Sequence, residues 1–517
     1  MTLAQRVQPE ESTAAAPRPV RLAVLRALFD RLHAENVRYC HWKSNEHLLA
    51  SFTGATDVDV LFDRQAIIPL TRILCATGFK RFVVKPGRGY PGVEDYVGFD
   101  GDTGALTHLH VHYQLTLGEK FLKGHRLPWE ERYLTSRVWD PEFDVYVADP
   151  HLELVVLLVR MVMKWRVRDS AKEALGSPYL SGGVLRELAW LTARVDAQRL
   201  VEVARDLVGP SAAALLPGLI ENSRPSVGQL RTFGSRITPS LDEYRLFEAT
   251  EGARQMLGRE LGVVWWKLRN WFLGAPTKST RTLPQGGLMV AFLGADGAGK
   301  STVTTIMAEW LAREIAVVTT YGGSGKGSAS FPRRVMQRVG ALRRRLIGSA
   351  HPPVQRASDA PAGSSSSPPS LARLVWILAL SRERRRRARA ARRAKGLGMM
   401  VISDRFPQSQ FPDGNDGPRL TRWRERGSWV IRVAARHEDE TFRLVDLSPP
   451  DLVVKLHVTP ETASARKPET PAEQVRRGIE VIHGLQFPHP TRVVDVDAEQ
   501  PLPRVVLQAK RAVWEII

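Results

Sequence analysis

Cysteine is almost missing from this chain. Its 517 residues include only Cys40 and Cys75, which excludes a disulfide framework and points to a reducing compartment, the cytoplasm. Long apolar runs are missing too. None reaches the roughly 18 residues of a membrane span. The nearest, Leu152 to Trp165, is broken by Glu153, Arg160 and Lys164 and reads as a buried helix. Residues 1–20 carry no apolar targeting segment and, with Pro17 and Pro19, read as a disordered leader. No zinc-finger, RRM or helix-turn-helix pattern occurs, so nucleic acid is a partner only through basic clusters. Acidic residues are outnumbered: 54 Asp and Glu against 74 Lys and Arg leave a formal charge of +20, which favours polyanions, anionic lipid or phosphorylated small molecules. Much of this excess is local. Arg382, Arg384 to Arg387, Arg389, Arg392, Arg393 and Lys395 form one cluster, and Arg333, Arg334, Arg338 and Arg343 to Arg345 another. Arg384 to Arg387 cannot all face one site on a helix, so most of them are expected at the surface or against a partner.

A single core is excluded at this length, and roughly two to four domains are expected. The fold class is α/β. Residues 21–150 read as a first α/β domain and 151–273 as a helical section, with helices at Leu152 to Trp165, Val184 to Thr192, Ala197 to Val208 and Leu241 to Leu257. Trp265, Trp266, Trp271 and Phe272, interleaved with Lys267 and Arg269, read as a stripe packed between domains, in preference to a membrane-surface helix. Residues 274–287, with Pro276 and Pro284, read as a linker. From 288 to 517, strand candidates at Leu288–Leu293, Ala316–Tyr321, Met399–Ser403, Leu452–Val458 and Val493–Val496 alternate with helical segments. That alternation predicts a parallel sheet with helices on both faces. Ala350 to Ser370, rich in Pro and Ser, cannot bury a core and reads as a disordered insertion within this domain.

The most specific stretch is Gly294-Ala295-Asp296-Gly297-Ala298-Gly299-Lys300-Ser301-Thr302, which fits the phosphate-cradling P-loop pattern G-x-x-x-x-G-K-[ST]. An apolar strand candidate precedes it. Helically spaced Val303, Ile306, Met307, Trp310 and Leu311 follow it. With both flanks in place, a chance glycine turn is set aside. The glycines let backbone N–H groups turn onto phosphate oxygens at a helix N-terminus. Lys300 would reach the β/γ-phosphates of ATP and Ser301 would hold Mg2+. Further on, a strand delivers Asp404-Arg405-Phe406 to the sheet edge, where a carboxylate can orient metal-bound water and an arginine can clamp phosphate.

In the first domain, Asp57-Val58-Asp59 puts two carboxylates on one strand face, a compact Mg2+ site. His108, His110 and His112 alternate in the same way and are the alternative metal-site candidate in this domain. With Lys43-Ser44-Asn45 upstream and His112-Tyr113-Gln114-Leu115 downstream, this region resembles the nucleotidyltransferase-like fold, with His110 at the place of the family's third acid. Active nucleotidyl transfer, a degenerate binding domain and an unrelated fold all stay open.

The second domain resembles thymidylate kinase and its nucleoside-monophosphate kinase relatives. It matches their F-x-G-x-D-G-x-G-K-S-T loop from Phe292 to Thr302, their D-R-[YF] at Asp404-Arg405-Phe406, and a P-D-L at Pro450-Asp451-Leu452. The resemblance implies an ATP- and Mg2+-dependent phosphotransferase acting on a phosphorylated small molecule. Asp296 would face the acceptor's sugar hydroxyl, Arg405 would hold its phosphate, and Asp404 would assist the metal or water. Arg466, Lys467 and Arg476 or Arg477 would close over the transferring group, and Arg382 or Arg384 would lie on the base side. The family's S-x-x-A-Y-Q segment is replaced by Pro407 to Pro418, so thymidylate itself is not the expected acceptor. A nucleotide-binding ATPase without an acceptor remains the rival, Arg466-Lys467 also reads as a solvated helix face, and a homodimer is left open.

Overall fold

The computed structural model describes residues 21–84, 89–118, 123–164, 180–221, 224–248, scattered positions from 250 to 268, 281–323 and 368–517. It is an α/β structure built on a mixed sheet and a parallel one.

The mixed sheet has eight strands. In chain order they are β1 (Tyr39–His41), β2 (Val58–Phe62), β3 (Lys80–Val84), β4 (Val93–Phe99) and β5 (Leu106–His112), then β8 (Val138–Asp140), β9 (Val145–Val147) and β10 (Arg281–Thr282). A separate ribbon pairs β6 (Leu115–Leu117) with β7 (His125–Leu127). The spatial order is β10-β3-β4-β5-β2-β1-β9-β8. Side chains alternate across each strand. In β2 and β5, Val58, Val60, Phe62, Leu109 and Val111 all point into a core shared with Leu25, Leu28 and Phe29 of the helix Ala23–Ala34 and Ile73 of the helix Ile67–Ala76. That choice of face sends Asp59, His108, His110 and His112 to the other side. The parallel register sets Asp59 beside His110, and the antiparallel β4 sets Asp95 beside His110 from the opposite flank.

The helix Pro150–Met163 is buried along most of its length among Gly182–Thr192, Ala197–Val208 and Val227–Asp242. This explains its near-continuous apolar run without a membrane. Among the described residues no helix is long and apolar enough to cross one. The expected helix Leu241 to Leu257 is not continuous. A capping box between Ser226 and Gln229 starts a helix much earlier, and it ends at Asp242. The chain then turns to pair with the β7 ribbon, His125 bridging Arg245 and Leu246 N–H donating to Gly124. Of the tryptophan-rich stretch, Trp265 is 70% exposed, which runs against a stripe packed between domains at that position. Trp266, Lys267, Arg269, Trp271 and Phe272 lie outside the described residues, as do the basic cluster from Arg333 to Arg345 and most of the Ala350 to Ser370 insertion.

The parallel sheet holds β11 (Met289–Gly294), β12 (Val317–Tyr321), β13 (Met400–Asp404), β14 (Leu452–His457) and β15 (Arg492–Asp497), in the order β12-β13-β11-β14-β15. Its three central strands, β13, β11 and β14, are short and largely apolar, as a sheet covered on both faces requires, whereas the edge strand β15 carries Arg492, Asp495 and Asp497 and is mostly exposed. The carboxyl ends of β11 and β13 lie side by side, with Phe292 next to Asp404. This is the edge where ligands of such sheets bind.

The two sheets share a core. Phe82, Val97 and Leu106 of the first are buried in one cluster with Val290, Met307, Trp310 and Trp514 of the second. Residues Arg281 and Thr282, within the expected linker, add strand β10 to β3. Lys510 donates to the Gly104 carbonyl at 2.8 Å and Arg511 to that of Gly101 at 2.7 Å.

Candidate active site

β11 ends at Gly294, and the chain loops through Ala295 to Gly299 before the helix Lys300–Ala312 begins. Gly297 has φ +90°, and a Cβ there would stand 2.3 Å from the Ala463 carbonyl oxygen. Only glycine lets the loop lie under the helix Pro460–Arg466. Gly299 caps the helix at φ 80° with no side chain bonding the first turn, and that turn holds no acid. Its amides and helix dipole are therefore available to an anion.

Lys300 is buried, and its ammonium folds back 2.5 Å from the Ala295 carbonyl, 3.9 Å from Asp296. Burial, reinforced by the Arg405 charge, pushes its pKa down to about 7. Ser301 Oγ donates to Asp404 Oδ2 at 2.7 Å, while Asp404 Oδ1 is buried with no hydrogen-bond partner. A hydroxyl beside an unsatisfied carboxylate oxygen at a phosphate loop is an all-oxygen set that fits Mg2+. Thr302 is exposed on the first turn.

Arg405 sits at φ +68°, an uncommon conformation for a residue with a side chain, held by its N–H to the Phe292 carbonyl at 3.1 Å. Its guanidinium lies between Asp296 at 2.5 Å and Asp416 at 3.3 Å. Burial opposes its charge, but Asp416 and Asp296 outweigh that and hold it firmly protonated. Burial would likewise raise Asp296. Arg405, Lys300 and Lys467, whose Nζ is 3.7 Å away, keep it below the usual carboxylate range.

Lys467 thus reaches the site directly. Arg466 does not: both its terminal nitrogens donate to the Ala498 carbonyl at 3.2 Å. Arg476, Arg477 and Arg382 are exposed. Arg384 is buried and donates to the Asp416 carbonyl at 3.0 Å. Arg385 bonds Thr441 and Glu440, and Arg387 the Tyr321 carbonyl, so these three arginines pin the helix Leu371–Gly396 internally instead of facing solvent. A cavity of about 280 Å³ opens between that helix and the sheet, lined by Tyr321, Arg384, Arg387, Phe406 and Pro407 among others. Asp416 is the site residue that sequence reasoning missed. Its loop is folded by Gln408, whose amide bonds the carbonyls of Phe411 and Asn415. The Asp416-Gly417 turn pair was the available signal.

On the first sheet, the carboxylate pair and the histidines come together. Asp59 Oδ1 lies 3.1 Å from both His110 Nδ1 and His112 Nε2 and 2.8 Å from Lys43 Nζ. Asp57 Oδ1 is 2.8 Å from His108 Nδ1. Asp95, which sequence reasoning also missed, faces His108 Nε2 at 2.8 Å and Arg281 Nε at 3.1 Å. Arg281 in turn binds Glu314 Oε2, just past the loop helix, at 2.7 Å. Burial works against an imidazolium at His110, but Asp59 and Asp95 raise its pKa to about 9. Burial keeps His112 neutral, at about 4. The oxygen-only Mg2+ site expected at Asp57 and Asp59 is therefore crowded by imidazoles and an ammonium, a set that does not suit Mg2+.

No family model matches the chain. It is 27% identical over 246 residues to the uncharacterized ATP-binding protein YghR of Escherichia coli K12, covering 47% of this chain and 94% of that protein. It is 25% identical over 226 residues to the ATP-binding protein YghS of the same strain, covering 44% and 92%. To a thymidylate kinase of Alkalilimnicola ehrlichii it is 31% identical over 239 residues, covering 44% of this chain and 92% of that enzyme. With that much of the enzyme matched, and with its loop and D-R-F motif side by side at one sheet edge, the chain belongs, over a little under half of its length, to the thymidylate kinase family.

Proposed function

We propose that the protein is an ATP- and Mg2+-dependent phosphotransferase of the cytoplasm whose acceptor is a nucleotide or a related phosphorylated small molecule. One observation carries this reading: Ser301 and the unsatisfied Asp404 carboxylate stand at the mouth of the glycine loop, beside a guanidinium that two acids hold charged. The loop amides and the first turn of Lys300–Ala312 take the triphosphate. Lys300 then leaves the Ala295 carbonyl for the β/γ-phosphates, whose charge raises its pKa and holds it in the ammonium form. Ser301 and Asp404 would hold Mg2+, which supplies neutralisation of phosphate charge when bound. Arg405, positioned by Asp296 and Asp416, would meet the acceptor phosphate, and Asp296 would orient an acceptor hydroxyl. Lys467 adds charge from the lid side. Transfer then needs little more than alignment and water exclusion.

A second reading, ATP hydrolysis without an acceptor, is favoured by Arg405 already being bonded to two carboxylates and by the replaced Pro407 to Pro418 segment. Labelled ATP incubated with a panel of monophosphates and sugars separates the two. Label transfer to one acceptor supports the kinase. Acceptor-independent phosphate release, equal across the panel, overturns it.

A further inference from the structure

We infer that the first sheet carries a transition-metal centre built on Asp59, His110 and His112, in place of the Mg2+ site that its carboxylate pair alone suggests. The argument starts from strand geometry. β2 and β5 are parallel and in register, so alternate side chains of both converge on one face, and each strand contributes more than one donor. The carboxylate oxygen of Asp59 is 3.1 Å from Nδ1 of His110 and 3.1 Å from Nε2 of His112. Ligand atoms bound at about 2.0–2.2 Å around a tetrahedral ion are separated by about 3.3–3.6 Å, so the two Asp59–imidazole separations need to open by only a few tenths of an ångström, and all three ligand atoms lie within 4.8 Å of one another. Asp57 Oδ2, 3.9 Å from the same His110 nitrogen, is placed as a fourth oxygen.

Donor chemistry selects the metal. Imidazole nitrogens with a carboxylate suit zinc, iron, cobalt or nickel, whereas Mg2+ takes oxygens. The supporting shell fits as well. A ligating histidine usually turns its second nitrogen to a carboxylate, which fixes the ring. Here Nε2 of His110 faces Asp95 at 3.5 Å, and Asp95 is itself anchored by Arg281. The neighbouring His108 is less suited to ligation, because Arg281 donates to its Nδ1 at 2.8 Å. Lys43, 2.8 Å from Asp59, would be displaced toward an open coordination position, where its ammonium favours an anionic oxygen ligand.

The test uses the full chain, stripped with chelator and titrated separately with Zn2+, Co2+ and Mg2+ alone. The expected result is one tightly held Zn2+ or Co2+ per chain, with Co2+ giving a visible absorption band of nitrogen–oxygen coordination, and no competition by millimolar Mg2+. His110→Gln and His112→Gln should lose the bound ion and the band while keeping the wild-type circular dichroism. Asp95→Asn, a positioning change, should keep the stoichiometry and weaken affinity by about 10- to 100-fold. Lys300→Ala should leave metal binding intact, which separates this centre from the nucleotide site. Absence of stoichiometric Zn2+ or Co2+ binding overturns the inference. So does binding that survives both histidine substitutions, which would leave a hydrogen-bonded polar cluster only.

Discussion

Lys300 shows how one side chain records the state of the nucleotide site. A free lysine titrates near 10.4, but this one is held at about 7 by burial and by Arg405. Between those values the unfolded chain binds the extra proton, so stability rises with pH across that window, and the cost of the buried ammonium is fully present below about pH 7. Lys300→Met should therefore melt higher than wild type at pH 7, by the equivalent of a few kcal/mol at most, with the gap closing toward pH 10. Thermal melts across that range check it, and a pH-independent gap would contradict the assignment. Gly297→Ala acts through shape. Its Cβ would stand 2.3 Å from the Ala463 carbonyl at a φ of +90°. Strain of about 1–2 kcal/mol and a displaced loop should weaken ATP binding about tenfold or more, as read by calorimetry.

Among the elements, the arginine-rich helix Leu371–Gly396 is the instructive case. Ser370 accepts a bond from Arg373 N–H at 3.3 Å and caps it, although it closes the stretch expected to be a disordered insertion. Deleting residues 350–369 should barely move the melting temperature, since loop-closure entropy changes slowly with length. Extending the deletion through Ser370 should cost about 1 kcal/mol; paired melts of the two deletions distinguish them. The second sheet was readable because its central strands are short apolar runs, and its loop because the chemistry of phosphate cradling leaves few residue choices. Asp404 and Arg405 follow from the strand that delivers them. Asp95, Arg281 and Asp416 were not readable. Their roles come from strand register, from a strand hidden in an expected linker, and from a loop closed by Gln408; only the last leaves a local trace, the Asp416-Gly417 pair, and that marks a turn without marking a site. The helix predicted from Leu241 to Leu257 is interrupted after Asp242, where pairing with the β7 ribbon outweighs local helical spacing, and the described positions from Thr250 on are helical again.

At the scale of the whole molecule, the two sheets are not independent. They share the cluster around Val97, Trp310 and Trp514, and Arg281 joins the histidine face through Asp95 to Glu314 beside the loop helix. This predicts a single cooperative unfolding transition, seen alike by near-UV and far-UV circular dichroism. Arg281→Ala should lower its stability by about 2–3 kcal/mol by leaving Asp95 and Glu314 without their shared cation, a loss reduced from the fully buried case by partial exposure; an unchanged denaturation midpoint would argue that the bridge is incidental. The large positive charge fits a protein that handles phosphate, and the binding of nucleotide is the claim on which the functional account rests. Calorimetric titration of ATP into the wild type and Lys300→Ala, each with and without Mg2+, tests it most directly. The account predicts saturable one-to-one binding that weakens without Mg2+ and is lost in Lys300→Ala. Equal binding by both proteins, or none by the wild type with Mg2+ present, would contradict it.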